Sequence, residues 1–114
     1  MNHDERRLHR TDDQSLALSR LFEACRARAK LDALVLADDQ GLVVASAAQP
    51  DVDVDQIAAH LPTARWSFVM PELRARTLYC DGTPLFVGAI GPSDVAGIEL
   101  SRAAAGAQRI LQAA

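Results

Sequence analysis

The sequence predicts a single α+β domain in the order α-β-β-α-β-β-β-α, its mainly antiparallel sheet of four or five strands covered by helices on both faces. Three observations carry this expectation. Leu31–Ala37 and Leu42–Ala48 flank the turn Asp38-Asp39-Gln40-Gly41, and Arg74–Cys80 and Pro84–Ile90 flank Asp81-Gly82-Thr83. Each reads as strand, glycine-bearing turn, strand, and Asp-Gly is a strong hairpin signal. Segments with helical spacing precede, separate and follow the two hairpins. The first hairpin is apolar at nearly every position, so both faces of its sheet need cover. The 114 residues, 49% of them hydrophobic, suit one domain with one core.

Residues 1–11 hold few apolar side chains besides Met1 and Leu8 and are expected to form a mobile arm ahead of a domain spanning 12–114. Thr11 and Gln14 have the spacing of a capping box, and Asp12 and Asp13 suit the positive end of a helix. Leu18, Leu21, Phe22, Cys25 and Ala29 then form one apolar stripe. Arg26, Arg28 and Lys30 suit the helix's last turns, and the helix is expected to end by Lys30. After the first hairpin, Asp53 and Gln56 repeat the capping-box spacing. Val54, Ile57, Ala58 and Leu61 form the stripe of a short helix that Pro62 interrupts. Trp66–Met70 reads as a strand ended by Pro71, with a helical continuation as the alternative. Gly91-Pro92-Ser93 turns the chain into a last helix, capped by Ser93 or Asp94, with Leu100, Ala103, Ala104, Ala107, Ile110 and Leu111 on its buried stripe.

Charge and motifs exclude several classes. A net charge of -3 argues against nonspecific binding to nucleic acid or an anionic membrane. The runs Ala33–Ala37 and Leu42–Ala48 are too short to span a bilayer. The N-terminal residues lack the apolar stretch of a secretory signal, and two cysteines make no disulfide framework, so a cytoplasmic location is expected. Residues 31–64 carry six acidic and no basic side chains, centred on Asp51, Asp53 and Asp55, which read first as a solvated loop and helix cap. Their spacing imitates a calcium loop, but the positions needing glycine and a bidentate glutamate hold Gln56 and Pro62. No zinc motif is present, and Cys25, Cys80, His3, His9 and His60 are scattered, so no metal is expected. Cys25 reads as core; Cys80 ends a strand, where only exposure would make it reactive. No nucleophile elbow, dinucleotide fingerprint or phosphate-binding loop occurs, and no catalytic residue or cofactor is assigned.

The hairpin Leu31-Asp32-Ala33-Leu34-Val35-Leu36-Ala37-Asp38-Asp39-Gln40-Gly41-Leu42-Val43-Val44-Ala45-Ser46-Ala47 resembles the first hairpin of the Roadblock/dynein light-chain family. The order of elements over residues 12–114 agrees with that family, whereas Trp66–Leu73, with prolines nearby, departs from it. The resemblance implies a homodimer formed through the second helix and the neighbouring edge strand, without catalytic residues. It also implies a regulatory or scaffold role: bacterial members typically bind a small Ras-like GTPase and regulate its nucleotide cycle, and eukaryotic members serve as scaffolds and motor light chains. On that basis the dimer interface is placed at Gln56, Ala59, His60, Trp66 and Phe68. Ala59 lies outside the buried stripe, where its small side chain admits a second helix, and Trp66 and Phe68 share a side if their segment is a strand. The alternative function is a small-molecule sensor with an apolar pocket lined by Trp66, Phe68, Tyr79 and Phe86.

Overall fold

The computed structural model describes residues 12–63 and 72–112. Helix α1 (Asp12–Ala29) leads into strands β1 (Ala33–Ala37) and β2 (Val43–Ala48). Helix α2 (Val54–His60), strands β3 (Leu73–Cys80) and β4 (Thr83–Ile90), and helix α3 (Ser93–Gln112) follow. Among the described residues four strands form an antiparallel sheet in the order β2-β1-β4-β3, with β2 and β3 at its edges. The expected strand at Trp66–Met70 and the cap at Thr11 lie outside the described residues.

As the apolar hairpin demanded, its strands β1 and β2 are covered on both faces. Leu34, Leu36, Leu85 and Val87 point toward α1 and α3, where they bury Leu18, Phe22, Cys25, Leu100, Ala103 and Ala107. Ala33, Val35 and Ala37 point the other way, against Ile57 and Ala58 of α2 and Leu61 at its C-terminal cap. α2 lies over β1 and β2, while α3 lies over β3 and β4 and packs beside α1. Gln14 Nε2 donates to the Ile110 carbonyl at 3.1 Å, tying the start of α1 to the end of α3.

Local chemistry sets the element ends. The N–H of Leu31 bonds the Arg26 carbonyl at 3.0 Å and that of Lys30 the Ala27 carbonyl at 3.4 Å, the paired bonds of a Schellman cap. Lys30 sits at φ 55°, in the region usually given to glycine. This cap occupies Leu31, so β1 starts at Ala33, two residues later than the apolar run suggested. Asp53 caps α2 as its spacing required, its Oδ1 accepting the Gln56 N–H at 3.1 Å. Asp81 and Gly82 take φ 54° and 80°, both positive as a two-residue type I′ turn needs. Helix α3 starts at Ser93, and the Pro92 carbonyl accepts the Ala96 N–H at 2.9 Å, so Pro92 and not Ser93 or Asp94 holds the cap position. Among the described residues no helix is long and apolar enough to cross a membrane.

Candidate interface

The candidate site is the face formed by α2 and the β3 edge, and two close contacts hold α2 there. The first is at the β1–β2 turn. Asp38 is only 2% exposed, and its Oδ1 accepts the N–H groups of Gln40 at 2.8 Å and Leu42 at 3.0 Å. The turn closes with Gly41 at φ 79°, and a Cβ on Gly41 would lie 3.1 Å from the Ala59 Cα of α2. Glycine is therefore required twice, by the backbone and by the neighbouring helix. The second contact is under the end of α2, where a Cβ on Gly88 of β4 would lie 2.9 Å from Leu61 Cδ2 and 3.0 Å from Leu73 Cδ1. The helix ends at its Leu61 cap, and just beyond it the Thr63 hydroxyl donates to the His60 carbonyl at 2.8 Å.

Because α2 covers the β1–β2 half of its face, the β3–β4 half is left open among the described residues. An open depression of about 290 Å³ lies there, lined by Leu61, Pro62, Thr63, Ala75, Arg76, Thr77 and Phe86. The two-residue turn makes Cys80 and Thr83 a hydrogen-bonded pair, and the pattern alternates along the ladder from there. Leu78, Arg76 and Arg74 therefore bond to β4, whereas the peptide groups of Tyr79, Thr77 and Ala75 face outward. The same three residues carry their side chains on the α2 face.

Of the residues assigned from sequence, Gln56, Ala59 and His60 share the outer face of α2. Gln56 and Ala59 are exposed and His60 is half-buried. His60 Nδ1 lies 2.8 Å from the Gln56 carbonyl, which can only accept, so that nitrogen carries the proton in this contact. Trp66 and Phe68 lie outside the described residues. Tyr79 and Phe86 share the α2 face of the sheet; Phe86 lines the depression, and Tyr79 is 58% exposed. Cys25 is fully buried, as its place on the stripe required. Burial, and then the Glu99 carboxylate, raise its thiol pKa; burial and Asp81 do the same for Cys80. Both shifts work against the thiolate, the nucleophilic form of the side chain. No cluster of three or more potential metal ligands occurs among the described residues.

Sequence reading missed an ionic cluster on the opposite face. Glu99 of α3 is 4% exposed and takes Arg28 of α1 through Nη2 at 3.0 Å and through Nε at 3.3 Å to each oxygen. Arg102 Nη1 adds a contact at 3.1 Å, and Arg28 Nη2 also reaches Cys25 Sγ at 3.5 Å. The hydrogen bond from Arg28 is the main cause that lowers the Glu99 pKa, and Glu99 in turn raises that of Arg28. Arg76, on the same side, donates to Ser101 Oγ of α3. Both arginines of the Glu99 cluster are more than half exposed at the side chain, so its role is to clasp α1 to α3.

No family model and no curated protein matches the sequence. The architecture does match solved structures, and it is a Roadblock-type fold. MglB of Myxococcus xanthus superposes with a TM-score of 0.62 at 10% identity, over 90% of this chain and 93% of that one. The gliding protein MglB of Thermus thermophilus gives 0.65 at 12% identity, over 92% and 96%. An MglB with a tetrameric arrangement gives 0.66 at 13%, over 90% and 93%. At such identities the shared property is the fold.

Proposed function

We propose that this chain is a non-enzymatic, homodimeric regulatory module that uses the α2–β3 face to pair with its own copy and to bind a small Ras-like GTPase or a related signalling protein. The observation that carries this reading is the β3 edge, unpaired among the described residues and separated from the end of α2 by the open depression, on a Roadblock-type fold. An eight-residue edge strand with outward peptide groups at Ala75, Thr77 and Tyr79 offers a ladder for a second strand. The exposed Gln56 and Ala59 of α2 extend this surface on the far side of the depression. The likeness to MglB supports a regulatory role, and the tetrameric arrangement of one MglB supports self-association.

The test is binding of the full chain to the small GTPases of its own organism, each loaded with GDP or a non-hydrolysable GTP analogue, by surface plasmon resonance. The expected result is saturable binding that depends on the nucleotide state. Absence of binding to every GTPase in both states, with thermal stabilisation by one small metabolite instead, would replace this reading with the sensor alternative.

A further inference from the structure

We infer that the β3 edge takes an extended strand of a partner protein, one that carries two carboxylates two residues apart with an apolar side chain between them. The inference rests on the α2–β3 face proposed above and divides it, giving the outer side of α2 to the second copy and the sheet edge to the partner.

Among the described residues the outward peptide groups of Ala75 and Thr77 pair with nothing, whereas the Tyr79 carbonyl accepts Gln108 Nε2 of α3 at 3.1 Å. Gln108 therefore closes the turn end of the edge, and an added strand bonds at Ala75 and Thr77. Residues of that strand opposite Ala75 and Thr77 point to the α2 side, over the depression lined by Leu61, Pro62 and Phe86. An apolar side chain fits there. In an antiparallel addition the alternate residues form the closely spaced, non-hydrogen-bonded pairs with Arg74 and Arg76, on the α3 side. Both arginines are exposed, and among the described residues neither meets a carboxylate, Glu72 two residues before Arg74 included. Arg76 donates to Ser101 Oγ, which fixes its direction and leaves the rest of its guanidinium for a carboxylate.

Charge and register select a partner over a second copy as the occupant of this edge. A second β3 paired antiparallel about Ala75 would set Arg74 against Arg76, and one paired about Arg76 would set that arginine against its own copy. Pairing about Thr77 would set Ala75 against Tyr79, whose carbonyl Gln108 holds. A strand with aspartate or glutamate at both alternate positions turns the two repulsions into two ion pairs and needs no bond from Tyr79.

The probe is a blocked, fluorescein-labelled peptide, Thr-Val-Glu-Val-Glu-Val-Thr, whose central valine would face Ala75 and whose glutamates would face Arg74 and Arg76. Its anisotropy is titrated with the full chain, beside peptides with both glutamates replaced by glutamine or by lysine. The glutamate peptide should bind saturably below about 1 mM and at least about tenfold more tightly than the lysine peptide, a preference that added salt reduces. Arg74→Glu with Arg76→Glu should invert the preference while keeping the dimer by sedimentation and the far-ultraviolet circular dichroism spectrum. Among the described residues Arg74 makes no side-chain bond, so Arg74→Glu alone carries the test if the double variant does not fold. Thr77→Pro removes an outward N–H without taking a bond from β4 and should weaken all three peptides. A wild type that binds no peptide, or binds the glutamate and lysine peptides alike, overturns the inference and leaves the GTPase reading to its own test. Loss of the dimer in the charge-reversed variants would give the edge to the second copy, which overturns the inference while the homodimer reading stands. A wild type that prefers the glutamate peptide but binds no GTPase in either nucleotide state keeps the inference and overturns the GTPase part of that reading.

Discussion

Replacing Gly88 with alanine puts a methyl group into the contact that holds the end of α2 on the sheet. The new carbon would lie 2.9 and 3.2 Å from the two Cδ atoms of Leu61 and 3.0 Å from Leu73 Cδ1. Comfortable carbon contacts begin at about 3.5 Å, so both leucines must move by roughly half an ångström. Each is only 2% exposed, and Leu73 has little room to do so, whereas Leu61 borders the open depression and keeps the cost toward the low end. Overpacking of this kind costs about 1–3 kcal/mol. Against it stands a gain of about 0.5–1 kcal/mol from removing glycine from a strand interior. The net expectation is a loss of roughly 1 kcal/mol, or some 4–8 °C in melting temperature for a domain near this size. Leu61→Ala alone should cost about 2–5 kcal/mol by leaving a cavity. In the double variant the new methyl finds space on the Leu61 side and meets only Leu73, so the two losses should fall short of their sum by about 1 kcal/mol. Urea titrations of the four proteins, followed by circular dichroism, measure this coupling. Additivity within about 0.3 kcal/mol would refute the claim that Gly88 and Leu61 share one contact.

Three further expectations concern other parts of the fold. The pKa of Glu99 is lowered in the folded chain, so its contribution is fully present above the ordinary carboxylate value of the unfolded chain and is lost as pH falls through the folded value. Glu99→Gln should thus lower stability at neutral pH and flatten the acid limb of the stability profile; an acid limb identical to wild type would remove Glu99 from the account. Asp53→Ala deletes the cap of a seven-residue helix and should cost about 1 kcal/mol in a urea titration, with a change inside experimental error counting against the cap. With both thiol pKa values raised, a disulfide reagent at neutral pH should label half-buried Cys80 slowly and buried Cys25 only on unfolding. Rapid labelling of Cys25 in the folded chain would contradict its place in the core.

Both hairpins were legible because their turns demand glycine: Gly41 and Gly82 take φ 79° and 80°. The stripe of α2 was legible too, since Ile57, Ala58 and Leu61 follow the helical period and are buried. The start of β1 was not, because nothing local says that Lys30 adopts a left-handed conformation and draws Leu31 into the helix cap. The Glu99 clasp escaped for a different reason: Arg28 lies 71 residues away, and only the packing of α1 on α3 brings it near. Sheet order is likewise nonlocal, so the sequence reading could place Ala75, Thr77 and Tyr79 on a strand but not at an edge. Of the proposed interface, the shared outer face of Gln56, Ala59 and His60 follows from their spacing, whereas a contact with a second molecule is nothing that spacing within one chain can place.

The central proposal, a homodimer through the α2–β3 face, is tested most directly by sedimentation equilibrium of wild type beside Ala59→Arg and Trp66→Ala. Ala59 is exposed, and arginine is nearly as good a helix former as alanine, so the first variant should keep its fold. Truncating a central interface aromatic commonly costs about 2 kcal/mol or more, so the second should dissociate at markedly higher concentration than wild type. The account predicts a wild-type dimer, with both variants shifted toward monomer and their helical signal unchanged. A monomeric wild type, or variants that dimerise with wild-type affinity, would contradict it.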